Sequence, residues 1–546
     1  MTYTEIKEKG DKKYYYRVKS VREGEHVGKE RVYLGANLSK EEVRKAEVEA
    51  DKKLSGVVVE EKKVGEKKME EKVGREEKGI TIKKEQDPVE WYSQVCLKAG
   101  LADYGPVKGT MVIKPYGYAL WQKIQDYFNK VLEKRKVENA YFPMFIPESF
   151  FKKEAEHAEG FSPEVAWLAQ KDDKSERIAL RPTSETIIYD SYSKWIRSWR
   201  DLPLRINQWC NIVRWEVSDC KLFLRSREFL WQEGHCIYAT EKECDKEVIL
   251  FLDEYEKLCK DLLAIPVLKG RKTEKEKFAG ANYTTAIETF TPEGKALQCG
   301  TSHNLGQGFA KSFDISFLDK NEKKAFPWQT SWGFSTRLIG ALVMMHSDNK
   351  GLVLPPSIAP IKVVIVPIWK KGDKNILKIA RELQEKLGVE LDDRVEYSPG
   401  YKFNKWELKG VPLRIELGPR DVKKNQIVLV RRDSGEKKIV KLADAEKEVE
   451  KILKDVQNSL YTNAQKFLDS SIKKVETWDD FMKAVKDKKM VLAPFCGGVK
   501  CEDWIKDKTR GVSSRVIPFE QPSVSGKKCV HCDKKAGVWA YFARAY

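Results

Sequence analysis

Residues 211–235, NIVRWEVSDCKLFLRSREFLWQEGH, set Arg214, Glu216, Arg225, Arg227, Glu228, Trp231, Glu233 and His235 along two apolar-rich runs. A polar turn around Ser218 to Lys221 joins the runs, and the pattern predicts an antiparallel hairpin whose alternate side chains share one face. Buried ions must be paired and hydrogen-bonded, so ordinary core hairpins seldom carry this density of charge. Fixed cations, interleaved carboxylates and a tryptophan suit a nucleoside triphosphate held beside a charged small molecule.

The sequence has no G-x-x-x-x-G-K-[ST] loop and no G-x-G-x-x-G after a strand, so neither a P-loop nor a dinucleotide fold holds phosphate here. Arginine must do so, since its planar fork stays charged and meets phosphate oxygens two at a time. Such residues come from three segments: RPTSE at 181–185, the run 214–235, and WGFSTR at 332–337. QCGTSH at 298–303 precedes the third. Each alone reads as a cap or a surface pair; their order in one chain is specific.

Near the end of the sequence a different chemistry appears. Cys496-x4-Cys501 and Cys529-x2-Cys532 are paired knuckles with the spacing of a structural, tetrahedral zinc site. His531 competes for one ligand place, although four thiolates fit the pattern better; four unmetallated thiols is the bland alternative.

Several elements must position these groups. In 117–136, Leu120, Trp121, Ile124, Tyr127, Phe128, Val131 and Leu132 recur at helical spacing. The helix leads into YFPMFIP at 141–147, an apolar strand whose Pro143 cannot donate to a ladder, which predicts a sheet edge or a subunit contact. Alternating strands and helices continue to a helix ending near His346. LVLPPSIAP then has the stiffness of a connector. Residues 361–460 read as a small α/β domain with parallel strands. Ahead of all this, 1–79 holds a hairpin (KYYYRVKSVREGEHVGKERVYLG), a short helix and a charged, linker-like stretch at 64–79; its function cannot be read.

Composition narrows the class. The 546 residues suit about three or four domains, and 41% hydrophobic content with 15 Trp, 21 Tyr and 22 Phe is ample for real cores. A net charge of +18 points to a polyanionic partner, against a solvated basic surface. No run approaches 18 apolar residues and no apolar leader follows Met1, so no membrane partner and a cytoplasmic location are expected. Eleven cysteines, mostly single, fit a reducing compartment.

With RPTSE, FLRSREFLWQEGH, EKFAGANYTT, TSHNLGQGF and SWGFSTR in this order, residues 80–546 closely resemble the class II aminoacyl-tRNA synthetases. Within them the likeness is to the prolyl enzymes of the archaeal and eukaryotic kind. The resemblance implies an α+β multidomain protein. A catalytic domain at 80–355 would be an antiparallel sheet with flanking helices, followed by an α/β anticodon-binding domain at 356–465 and a zinc-binding α+β domain at 466–546. The segment ending in Tyr141-Phe142-Pro143 looks like the family's dimer-forming motif 1, implying a homodimer.

By the same resemblance, ATP, with Mg²⁺ as its substrate complex, activates L-proline, which then passes to the 3′ end of tRNA(Pro). Arg214, Arg225 and Arg337 are the implied catalytic residues. Thr183, Glu185, Arg214, Trp231, Glu233, His235, Phe278 and His303 would hold proline. Arg214, Glu216, Arg225, Phe229, Gln298, Thr301, Ser335, Thr336 and Arg337 would hold ATP, with adenine between Phe229 and Arg337. Lys402, Glu407, Arg414 and Arg420 would meet anticodon bases, and Cys496, Cys501, Cys529 and Cys532 would bind Zn²⁺. Only some 95 residues separate Gly234 from Gln329, too few for the editing insertion of bacterial relatives. The final residue, Tyr546, matches a family habit of folding back toward the active site. A synthetase for threonine or histidine, and a catalytically dead tRNA-binding paralogue, are the rival readings.

Overall fold

The computed structural model describes residues 2–9, 12–23, 26–54, 79–155, 164–170, 175–369 and 374–546, and it divides into two compact units, Met1–Glu76 and Glu77–Tyr546. In the first, strands Thr2–Lys9, Lys12–Glu23 and His26–Ala36 form an antiparallel sheet in sequence order, followed by the helix Lys40–Leu54. The expected hairpin is present. The additional strand, TYTEIKEK, carries so many charges that its alternation is weak. Arg17 holds the helix to the sheet, its guanidinium meeting both Asp51 oxygens at 2.8 and 2.7 Å. The charged stretch expected to be a linker lies, for residues 64–78, outside the described residues.

The second unit is built on a twelve-stranded sheet. Its main path runs Ile472–Lys474, Met490–Phe495, Val538–Ala545, Lys295–Gly306, Trp328–Ser335, Glu228–Tyr238, Leu204–Val213 and Glu138–Asn139. One face packs on the helices Pro115–Arg135 and Glu241–Lys257, which bury Leu120, Trp121, Ile124, Phe128, Phe251 and Tyr255. Gly234 allows the closest approach here: a Cβ would stand 2.2 Å from the Trp332 ring, which itself stacks on Phe251 at 3.6 Å. The sheet ends on the two-residue edge strand Glu138–Asn139.

Three local expectations are corrected. The hairpin strands are Leu204–Val213 and Glu228–Tyr238, so the turn is a long loop over 214–227 rather than four polar residues. Phe223 and Leu224 are buried in that loop, which is why its sequence looks strand-like. Residues 141–147 do not form one strand. Only Phe145–Pro147 pairs, with Ile178–Leu180, because Pro143 interrupts the donors. Finally, the sheet over 361–460 is mixed. Val363–Pro367 lies parallel to both Glu390–Leu391 and Leu413–Leu417, whereas Gln426–Arg431 and Lys437–Lys441 turn back antiparallel. The connection through Pro419–Lys423 is too short for a parallel crossover. The helix Ala445–Ser471 leaves this sheet and runs directly into Ile472–Lys474 of the large one.

Candidate functional site

Strand register gathers the expected residues. Trp231 faces Ser335, Glu233 faces Gly333 and His235 faces Ser331. On the next strand Thr301 faces Gly333 and His303 faces Ser331. Side chains two apart point the same way, so Trp231, Glu233, His235, Thr301, His303 and Ser335 share the face that the two long helices leave open. A cleft of about 260 Å³ opens on it. Thr183, Glu185, Arg214, Phe229, Trp231, Glu233, His235, Phe278, Gln298, Thr301, His303, Ser335 and Arg337 all line it.

At one end a buried polar cluster forms. His235 Nε2 lies 3.0 Å from Glu233 Oε2, and its Nδ1 lies 3.2 Å from the Tyr189 hydroxyl. Gln208 Nε2 donates to Glu233 Oε1 at 2.9 Å. Burial opposes charge on His235, yet the Glu233 carboxylate outweighs it and raises the imidazole above its ordinary value. Burial likewise works against the Glu233 anion, but bonding to His235 wins and holds it low. Glu185 differs: burial, with Glu233 nearby, pushes its carboxyl up, although the Thr183 hydroxyl donates to it. His303 is driven down to about 3 by burial and by the cations His235 and Lys272, so it stays neutral between Thr284 Oγ1 at 2.8 Å and Thr301 Oγ1 at 3.0 Å.

Two guanidiniums face the rest of the cleft. Arg214 lies over Phe229 and Trp231, 5.5 and 5.9 Å from the ring centres, and its guanidinium makes a long bond, 3.4 Å, to Pro182 O. Arg337 bonds Leu224 O at 3.2 Å. Burial and then repulsion from Arg214 push Arg337 down to about 10. Two cations that repel across a shared cavity make a site that an anion between them would relax.

Sequence reasoning missed the floor. Lys272 lines the cleft and places Nζ 2.6 Å from the fully buried Glu288, which also accepts from Arg515 Nη2 at 2.9 Å. Beside this triad Thr273 Oγ1 donates to Glu502 Oε2 at 2.8 Å, and Glu502 adjoins Cys501. Lys272 sits in RKTEKEK, a run that reads as solvated surface, and Arg515 has no local signal at all. The repetition of charge around EKFAGANYTT was the nearest hint.

Three expected residues do not line the cleft. Glu216 and Arg225 are exposed on the 214–227 loop, and Thr336 is buried, its backbone N–H on Leu230 O at 3.0 Å. Tyr546 does reach that loop: its hydroxyl donates to Glu293, which accepts from Lys221 Nζ at 3.0 Å.

In the smaller mixed sheet, Lys402 and Arg414 are spent internally. Lys402 Nζ donates to Asp392 O at 2.9 Å, and Arg414 meets Glu416 at 2.9 Å and Glu407 at 3.3 Å. Burial of both places them beneath the surface rather than on it, leaving Arg420 exposed and Glu407 half-exposed. The four knuckle cysteines converge, with every Sγ within 4.8 Å of the others, Cys501 to Cys529 at 3.6 Å and Cys496 to Cys532 at 3.7 Å. A tetrahedron with metal–sulfur bonds of ~2.3 Å has edges of about 3.8 Å. His531 places Nδ1 2.8 Å from Cys501 Sγ while stacking on Trp504, so it faces a sulfur rather than replacing one.

Comparison with known proteins agrees with this geometry. Residues 167–346 match the tRNA synthetase class II core domain (G, H, P, S and T), 362–452 the anticodon binding domain, and 478–546 the C-terminal domain of prolyl-tRNA synthetase. The proline–tRNA ligase of Alkaliphilus oremlandii is 51% identical over 469 residues, 85% of this chain and 97% of its own. That of Natranaerobius thermophilus is 49% identical over 482 residues, 86% and 98% respectively. The crystal structure of prolyl-tRNA synthetase from Cryptosporidium parvum complexed with L-proline and AMP matches with a TM-score of 0.82 at 44% identity, covering 86% of this chain and 97% of that one. On the arginine pair, the buried acid–imidazole cluster and this likeness over nearly the full length of its relatives, the chain belongs to the proline–tRNA ligases among the class II aminoacyl-tRNA synthetases.

Proposed function

We propose that the cleft joins L-proline to ATP as prolyl-adenylate and that the chain passes the prolyl group to the 3′ end of tRNA(Pro). One observation carries the reading: Arg214 and Arg337 share a cavity whose other end holds Glu185, Glu233 and His235. Adenylation puts a carboxylate oxygen on the α-phosphorus and expels pyrophosphate, which needs placement and charge stabilisation more than a covalent nucleophile. Arg214 would bridge the prolyl carboxylate and the α-phosphate, and Arg337 the triphosphate. Adenine would lie by Phe229, and Gln298, Thr301 and Ser335 would bond its ribose and base. Arg225 and Glu216 would join from the loop. Mg²⁺ would come with ATP, held chiefly by phosphate oxygens.

Thr183 and Glu185 would accept the two N–H bonds of the imino group, with Trp231, Phe278 and His303 walling the ring. A methylene of difference is worth only ~1–3 kcal/mol, so alanine and cysteine enter weakly. Proline-dependent exchange of pyrophosphate into ATP tests the whole reading. No exchange, or exchange driven by threonine or histidine instead, removes it.

A pH dependence follows. The imino cation needs Glu185 ionised, and burial raises the pKa of Glu185. The ionised form is lost as pH falls through that raised value. The KM for proline is therefore expected to climb on the acid side at a pH above the ordinary carboxylate range. Glu185→Gln should abolish this acid limb and raise KM at every pH. A variant that keeps the wild-type profile would assign the limb elsewhere.

Cys496, Cys501, Cys529 and Cys532 fit Zn²⁺ and would hold it as a closed structural site, which metal analysis at one zinc per chain would check. Glu407 and Arg420 are the best-placed anticodon contacts; Lys402 and Arg414 would support them. A homodimer is supported by exposed Tyr141 and Phe145 beside the edge strand Glu138–Asn139. Divisions at 80–355, 356–465 and 466–546 are supported by matched spans inside each of them, 167–346, 362–452 and 478–546. An archaeal and eukaryotic arrangement is supported by the Cryptosporidium likeness and by continuous core elements from 228 to 335, although the curated relatives above are bacterial. Seven cysteines outside the knuckles, none of them in a disulfide, favour the reducing cytoplasm.

A further inference from the structure

The first unit, which lies outside the three family matches, carries a sheet face of unusual chemistry turned away from the helix Lys40–Leu54. Register and alternation sort its side chains. Thr4, Arg17 and Lys19 point to the helix Lys40–Leu54, where they bond Glu47, Asp51 and Leu54 O. Tyr3, Glu5, Lys7, Lys9, Lys12, Tyr14, Tyr16, Arg31, Lys29 and Tyr33 fall on the opposite face, around a buried Val18 at its centre. Ring contacts across that face agree: Tyr33 lies 5.2 Å from Tyr16 and 6.5 Å from Tyr14 between ring centres. Lys7 Nζ stands 5.8 Å from the Tyr16 ring and Lys29 Nζ 5.7 Å from the Tyr3 ring.

Charge is segregated between the two faces. Glu47 and Asp51 are consumed by Arg17 on the helix side, and Glu8 pairs with Lys13 there at 3.1 Å. On the other side Glu5, the one carboxylate there among the described residues, is taken by Arg31 at 3.0 Å. Lys7, Lys9, Lys12 and Lys29 remain as a basic surround to four tyrosines. Tyr3 and Tyr33 keep 40% and 53% of their surface exposed, so ring area is available to a partner. Phenol faces stack on nucleobases without regard to sequence, and flanking ammonium groups neutralise phosphates; sheets that bind single-stranded RNA combine these two devices.

We propose that this face is a second tRNA-docking surface, on which unstacked bases of the tRNA lie against Tyr3, Tyr16 and Tyr33 and the phosphates against Lys7 and Lys29. It rests on the reading that the chain charges tRNA, and the two can fail separately. In the full-length chain, the double variant Tyr3→Ala/Tyr33→Ala is expected to raise the KM for tRNA roughly tenfold, the scale of one or two lost base stacks. Proline-dependent pyrophosphate exchange, which involves no tRNA, should stay at the wild-type rate. Lys7→Glu/Lys29→Glu should weaken tRNA binding and flatten its salt dependence by about two phosphate contacts. Tyr33→Phe keeps the ring and should retain the wild-type KM. A KM for tRNA within twofold of wild type in both double variants overturns the proposal, as does a loss of exchange activity equal to the loss of charging. A full-length chain that charges no tRNA at all would instead overturn the underlying function.

Discussion

Replacing Arg214 by alanine is expected to lower proline-dependent pyrophosphate exchange by about a thousandfold or more, the scale on which removal of one preorganised charge stabiliser acts. Arg214 faces the cleft opposite Arg337 and makes only a long 3.4 Å bond to Pro182 O, so little of the fold depends on it. The melting temperature should consequently stay close to that of the parent. Lysine should not rescue, because a point charge cannot bridge a carboxylate and a phosphate as a planar fork can. Exchange kinetics and a thermal melt on the same preparations check both statements. Activity within tenfold of the parent would show that the α-phosphate is held elsewhere.

Glu288→Gln should produce the largest loss of stability from a single isosteric change. The parent carboxylate, fully buried, answers Lys272 at 2.6 Å and Arg515 at 2.9 Å. Burial alone would raise its pKa, but the two cations more than offset this and hold it below the ordinary value. A neutral amide leaves both cations buried against each other, a loss of about 3–5 kcal/mol by analogy with other broken buried pairs. Because Lys272 also lines the cleft, exchange should fall as well. By linkage, a carboxylate with a depressed folded pKa stabilises the fold above its unfolded pKa, and that contribution vanishes as pH falls through the folded one. The parent's stability should therefore fall with acid below the ordinary glutamate range by more than the variant's does, since the variant lacks this contribution. Denaturant melts across pH would detect it; unchanged midpoints would mean the triad contributes nothing.

The sequence was most legible where chemistry and period coincide. Trp231, Glu233 and His235 alternate on one strand, so pattern alone put them on a common face, and their register with Ser335, Gly333 and Ser331 completes the wall. Phe278, Gln298 and His303 were reachable only through resemblance, because single residues on distant segments carry no period. Lys272 and Arg515 were invisible for a related reason: their meeting at Glu288 joins residues far apart in the chain, and each has an unremarkable local setting. The loop 214–227 misled in the other direction. Buried Phe223 and Leu224 gave that loop the apolar texture of a strand, although they fill a core gap instead of a ladder. Lys402 and Arg414 were assigned by residue type, and type says nothing about depth.

The large sheet has one further consequence. Its core strand Lys295–Gly306 is flanked by Val538–Ala545, with Lys295 paired to Arg544 and Ala296 to Ala545. A ribosome must therefore make the whole anticodon-binding region before the catalytic half can close. Contacts so distant in sequence slow folding, and a nascent chain that stalls midway would carry Arg214 and Arg337 without the strand that flanks Lys295–Gly306.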